Sequence, residues 1–223
     1  MDWSPILISM KTASCSIVIT FFGGILMAWL VVSLRHEGIR VVLDGLLTLP
    51  LVLPPTVAGF FLLYIFGVKR PVGQFFIEYF SVKIAFSWVA TVIAAVTMSF
   101  PLMYRSARGA FEQVDESLLD AARTLGMSEW TIFRRILLAN ALPGVVSGGV
   151  LAFARGLGEF GATAMIAGNI AGKTRSLPMA VYSEVAAGNM DAAYRYVAVI
   201  VVIAFVSVVI MNLAAAGEKK KRT

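Results

Sequence analysis

The chain has one cysteine and one histidine in 223 residues. Cys15 therefore has no partner for an intrachain disulfide, and together with His36 it is too little to build a metal site within one chain. It lies in an apolar run and reads as a small packed residue, silent about redox compartment. Charge is scarce too: Asp, Glu, Lys and Arg make up 14% of the chain, against about a quarter in a soluble domain. Apolar residues reach 59% and the mean hydropathy is +0.84, which argues against a water-soluble globular chain and for an all-α polytopic membrane protein. A formal charge of +6 would suit nucleic acid, but Lys219, Lys220, Lys221 and Arg222 supply four of those charges just after an apolar helix. They are better explained as an anchor on anionic lipid, so a bilayer is expected as partner and nucleic acid is not.

Catalytic signatures are missing as well. No nucleophile triad, carboxylate pair or zinc spacing appears. "GNIAGKT" (168–174) looks like a phosphate-binding loop, but that motif needs four residues between its first glycine and the Gly-Lys pair. Gly168 and Gly172 enclose only Asn169, Ile170 and Ala171, and the segment follows an apolar helix rather than a strand. The chain is not expected to be an enzyme.

Apolar runs of membrane-crossing length, which takes roughly 20 helical residues, fall at about 12–34, 43–67, 84–104, 143–167 and 196–216. The first is too long for a signal-peptide core, lacks a basic leader and is followed by Arg35-His36, so it reads as a retained helix. Five spans put the termini on opposite sides. With the N-terminus outside, the inner segments hold Arg35, Arg40, Arg105, Arg108, Arg123, Arg134, Arg135 and the basic tail. The outer ones hold Lys11, Lys69, Arg70, Lys83, Lys173, Arg175 and Arg195. The excess of positive charge inside favours N-out, C-in.

Two spans are not plain. The second carries Pro50, Pro54 and Pro55, each of which removes a backbone donor. In lipid, freed carbonyls survive only against protein or a polar cavity, so the segment is either a packing kink or a broken helix lining a path. The fourth is rich in glycine and holds Arg155 and Glu159. On a continuous helix these would share a face and pair, and they must face the bundle interior or water. A structural ion pair and a gate both fit. Arg155 is the membrane-embedded cation that an anionic solute would meet.

Between the third and fourth spans lies a polar, charge-balanced segment, 105–142, too long for a mere connector. Asp115 can cap a helix running through Ser117, Leu118, Leu119, Ala121 and Ala122, and Gly126 sits where a left-handed C-cap is wanted. Ser128 then caps a second helix carrying Trp130, Ile132, Phe133, Ile136 and Leu137. Leu118, Leu119, Ala122 and Leu125 recur at helical spacing and form a low apolar ridge. It suits either a groove on another protein or the chain's own membrane domain. A DNA-reading helix would be basic at its start; Ser128-Glu129-Trp130 is not.

This segment resembles the cytoplasmic loop of permease subunits of binding-protein-dependent ABC importers, whose pattern is E-A-A-x3-G-x9-I-x-L-P. Here Asp120-Ala121-Ala122 is followed after three residues by Gly126, then after nine by Ile136, then by Leu138. Asp replaces the leading Glu, and Ala139 stands at the proline position, with Pro143 one turn later. "LPLVLPPTVAGFFLL", "MSFPLMYRSARGAFEQVD", "VLAFARGLGEFGATAMIAGN" and "GKTRSLPMAVY" look like the molybdate-type permease, kin of the sulfate and tungstate types. The resemblance implies one transmembrane domain over 1–223 in the cell inner membrane, with no cofactor in this chain. It also implies a homodimer, two separate ATPase subunits holding ATP and Mg on the cytoplasmic side, and an external oxyanion-binding protein. Asp120, Ala121, Ala122, Gly126, Ile136 and Leu138 would couple to the ATPase; Pro54, Pro55, Arg155 and Glu159 would line the path or gate. A stand-alone channel or secondary transporter would need ion-relay residues within its spans, where Arg155 and Glu159 are the only clear mid-span charges and no inverted repeat is evident, and a membrane-anchored sensor would use the loop for docking alone.

Overall fold

The computed structural model describes residues 2–34 and 36–219. Arg35 and residues 220–223, with most of the basic tail, lie outside them. The described residues are helical, with no strand among them.

Helix α1 spans Ser4–Val32, starting well before the expected residue 12. Pro5 sits in its first turn, where a missing N–H leaves no bond broken, and the Asp2 carboxylate accepts from the Ser4 amide at 2.9 Å. Lys11, which depresses the local hydropathy, is accommodated with its ammonium 4.1 Å from the centre of the Trp88 ring.

The expected second span is two helices, α2 (Glu37–Val52) and α3 (Pro55–Phe66), bent by 112°. A residue before proline is pushed out of the helical region. Leu53 precedes Pro54 and Pro54 precedes Pro55, and both are extended, with ψ of 140° and 134°. Two such residues in succession end the helix, whereas Pro50 alone is carried inside α2.

A short helix the sequence reading missed, α4 (Pro71–Phe80), leads to α5 (Trp88–Glu112). Next come α6 (Glu116–Thr124) and α7 (Glu129–Ile132), then a wider π-turn over Phe133–Leu137 and α8 (Leu138–Leu157). The expected 105–142 loop is therefore mostly helix. Its ends belong to α5 and to one continuous stretch, Glu129–Leu157, so the fourth span starts earlier than 143 and breaks before 167. Beyond the break lie α9 (Gly161–Ile166), another missed helix α10 (Leu177–Ala186), and α11 (Met190–Lys219). Among the described residues four helices are long and apolar enough to cross a membrane, and the bent α2–α3 pair makes a fifth span if counted as one.

The core lies where α1, α5 and α8 meet, around Ile25, Ala28, Val31, Met103, Tyr104, Ala107, Phe133, Leu137 and Val145. Small residues let these helices approach, as expected where lipid supplies no hydrophobic drive. A Cβ on Gly24 would sit 2.6 Å from the Met103 side chain, and one on Gly148 2.4 Å from that of Ser106. Hydroxyl pairs cross the α1–α5 seam, Thr12 with Thr91 at 2.9 Å and Thr20 with Ser99 at 3.2 Å. Near the α6 end, α2 is tied to α5 by ions: Arg40 pairs with Glu112 and Arg108 with Asp44. Arg108 also bonds Glu112 at 2.9 Å, and the Tyr104 hydroxyl donates to Asp44 at 2.9 Å.

Candidate functional site: a capped surface helix and two abutting helix breaks

Helix α6 is defined by its ends. The Asp115 side chain accepts from the Ser117 amide at 2.9 Å, a cap that satisfies an otherwise orphaned donor. That amide, with the Ser117 hydroxyl, holds the Asp115 carboxyl below its usual pKa. At the other end the Met127 amide bonds the Ala122 carbonyl at 3.2 Å and the Gly126 amide bonds that of Arg123 at 2.9 Å. This is a Schellman turn, which requires a left-handed residue between them, and Gly126 has φ of +75°. Nothing lies within 4 Å of where its Cβ would be, so glycine is needed for conformation and not for space. Across the turn Ser128 caps α7, its hydroxyl accepting from the Thr131 amide at 3.3 Å. Arg123 fastens the two helices together by pairing with Asp120 at 2.8 Å and Glu129 at 2.9 Å.

The apolar ridge expected on α6 is split. Ala122 is 3% exposed and Leu119 packs on the core, so these two seat α6 on its own bundle. Ala122 therefore does not lie on an open docking face. Their floor is aromatic: Trp29 lies 4.6 Å from Phe133 and 5.9 Å from Trp130 between ring centres, with Phe111 at 6.0 Å from Phe133. Leu118 (48% exposed), Leu125 (81% exposed) and Ala121 face outward. Asp120 shares that exposed surface but is already paired with Arg123. Ile136 lies inside the π-turn, whose Leu138 amide reaches back five residues to the Phe133 carbonyl. Such wide turns recur at functional sites. Ala139 continues the helix without interruption, so no bend stands where the family pattern has proline.

The second region brings together two breaks that lie far apart in sequence. Helix α8 stops at Leu157, and Gly158, Glu159 and Phe160 separate it from α9. Glu159 and Arg155 do pair, at 2.6 Å, but Glu159 lies past the helix end and not on a continuous helix face. Its other oxygen accepts from the Ala162 amide at 2.7 Å, so the carboxylate caps α9 while holding the last turn of α8. Its side chain is 1% exposed and that of Arg155 29%. Arg155 is thus a neutralised partner and not a free cation. The α2–α3 break abuts this one: a Cβ on Gly161 would lie 2.8 Å from that of Pro55, and one on Gly59 2.7 Å from the Ala162 Cα. Pro54 and Pro55 themselves are exposed.

Hydropathy could not disclose these contacts. Gly59 and the Arg40–Glu112 network escaped the sequence reading. The only signal was the one-turn spacing of Arg40 with Asp44, and of Tyr104 with Arg108 and Glu112.

Residues 20–223 match the family described as "Binding-protein-dependent transport system inner membrane component". The chain is 43% identical over 221 residues to the molybdenum transport system permease protein ModB of Escherichia coli (strain K12), covering 99% of this chain and 96% of that one. It is 36% identical over 177 residues to the sulfate transport system permease protein CysT of Salmonella typhimurium, covering 79% of this chain and 63% of that one. The fold is also that of the MetNI methionine ABC transporter in an inward-facing conformation, with a TM-score of 0.68 at 16% identity over 96% of this chain and 93% of that one. With its bundle of membrane-length helices, the chain belongs to the inner-membrane permease components of binding-protein-dependent ABC transport systems.

Proposed function

We propose that this chain is the permease subunit of an importer for a tetrahedral oxyanion, with molybdate as solute. The observation that carries the solute class is the 43% identity to a molybdenum transport permease over nearly the full length of both chains. In this reading two copies enclose the path, and the N-terminus is outside and the C-terminus cytoplasmic. ATP and Mg are bound and hydrolysed by two partner subunits, and an external binding protein delivers the solute.

Helix α6 is the part that the partner ATPase grips. Its outward Leu118, Ala121 and Leu125 offer a low apolar surface, while Ala122 and Leu119 pass any displacement into the aromatic floor beneath. The paired breaks at Pro54-Pro55 and Gly158–Phe160 are where the spans can change angle without unravelling, because each break already has its carbonyls and amides arranged outside a regular helix. Binding energy spent on closing the ATPases thereby moves the gate, which is alternating access. Glu159 with Arg155 keeps the α8–α9 break in shape during that motion.

A tungstate or sulfate system is the second reading, favoured by the similarity to a sulfate permease. The test is ATP-driven uptake of labelled molybdate, tungstate and sulfate by liposomes holding this permease, its ATPase and its binding protein. Molybdate uptake that unlabelled sulfate does not compete supports the proposal. Uptake without ATP or without the ATPase subunit would refute it.

A further inference from the structure

Helix α2 has no buried residue. Leu43 and Leu47 lean on the core, and a row of ions joins the helix to α5. Arg40 and Asp44 stand one turn apart on α2, while Tyr104, Arg108 and Glu112 stand one turn apart on α5. The order is antiparallel: Arg40 meets Glu112, and Asp44 meets Arg108 and Tyr104. A polar cavity of about 210 Å³ runs beside the row, lined by Asp44, Arg105, Arg108, Gly109 and Glu112. The ions therefore stay partly hydrated and avoid the desolvation cost of a sealed pair.

The arrangement of signs matters more than the attraction. A slip of α2 by one turn in one direction sets Arg40 against Arg108, and a slip in the other sets Asp44 against Glu112. Like charges brought together select against both alternative registers. One-turn ratchets of this kind are a known route of helix motion, and this pattern blocks it. The position is equally specific. At its α6 end α5 is embedded in the core through Met103, Tyr104, Ala107 and Phe111, and only Gln113, Val114 and Asp115 separate it from α6. Helix α2 ends at the Pro54 break, beyond which α3 packs on α9.

We propose that Arg40, Asp44, Arg108 and Glu112 form a register lock that makes α2 move with α5, so that displacement of α6 reaches the Pro54-Pro55 break without being lost in sliding. These are positioning residues for the gate, and the inference rests on the permease reading above.

The test separates register from attraction, using the full complex in liposomes with molybdate as solute. The double variant Asp44→Arg/Arg108→Asp keeps every facing pair opposite in sign but lets Arg40 meet an acid after a one-turn slip. The fourfold variant Arg40→Glu/Asp44→Arg/Arg108→Asp/Glu112→Arg inverts the whole row and keeps the block on both slips. At equal amounts of assembled complex, the double variant is expected to lose about tenfold in molybdate taken up per ATP hydrolysed, the size of an ordinary coupling term. The fourfold variant is expected to recover most of that loss.

Wild-type coupling in the double variant would overturn the lock. So would uptake and ATP hydrolysis falling together in proportion to assembly, since that marks a contact needed only for folding. A second experiment stands apart from both variants. With Cys15→Ser, cysteines replacing Arg40 and Glu112 are bridged by a short thiol-reactive linker. Because this removes the Arg40–Glu112 pair, the lock predicts uptake that is reduced before bridging and restored by it; uptake arrested on bridging would show that α2 slides, and would refute it. If the wild-type complex shows no ATP-dependent uptake at all, the permease reading itself fails, and the lock falls with it.

Discussion

Replacing Gly126 with valine tests whether the turn after α6 carries force. Glycine holds φ of +75° there, and a Cβ would touch nothing. The penalty is therefore purely conformational. A β-branched residue at positive φ is a genuine outlier, and holding it there costs about 2 kcal/mol, or roughly 30-fold in the population of the native turn. Relaxing the turn instead surrenders the Met127–Ala122 and Gly126–Arg123 backbone bonds and loosens the hold of Arg123 on Glu129. In the relaxed population α6 loses its fixed angle to α7 and to the floor formed by Trp29, Phe111 and Phe133.

Two other glycines provide matched controls. Gly172 has φ of +71° and Gly188 φ of +75°, and neither has an atom within 4 Å of a built Cβ. Valine at each pays the same local cost, but they lie between α9 and α11, away from α6. The assay is the affinity of the purified ATPase subunit for the permease in nanodiscs, with no binding protein present. Gly126→Val should weaken it by about tenfold or more, Gly126→Asn should recover most of the loss because asparagine tolerates the left-handed region, and the two controls should match wild type. Undiminished affinity in Gly126→Val, or an equal loss in Gly172→Val, would refute the reasoning.

Two further substitutions probe the same machinery. Arg155→Met leaves the Glu159 carboxylate buried with the Ala162 amide as its remaining bond, and should destabilise the protein by about 3 kcal/mol, toward the low end for a broken buried pair because Arg155 is partly exposed; adding Glu159→Gln should recover part of this. Thermal unfolding in detergent reads both, and an unchanged midpoint in the single variant would remove the pair from the break. Leu118→Asp should lower ATPase affinity without lowering that midpoint, whereas Ala122→Arg should lower the midpoint because its seat is inside the bundle; the opposite pattern would mean that α6 docks by its other face.

What the sequence disclosed and what it hid divide along the range of the interactions. The caps of α6 and α7 are local: Asp115, Gly126 and Ser128 act on amides and carbonyls within five residues, so residue type and spacing were enough to place them. The break at Pro54 was legible for the same reason, since proline constrains its immediate neighbour. Span ends were not. Hydropathy finds the lipid-facing middle of a helix and stops at charge, yet α5 runs on past Arg105 and Arg108 to Glu112, and Arg108 meets Asp44 of α2 there. Nor could Arg155 and Glu159 be read correctly as a pair on one continuous face, because α8 ends at Leu157 and the α9 that Glu159 caps is seated against Pro55 and Gly59 of another span. Helical periodicity likewise grouped Ala122 with Leu118, although the aromatic floor turns one in and leaves the other out. On the permease mechanism proposed above, each of these long-range contacts joins a pair of elements that change angle together as the spans open and close. On that mechanism the residues hidden from local reading are the ones through which one helix moves another, so substitutions there should alter stability together with coupling, whereas those on the outward face of α6 should alter coupling alone.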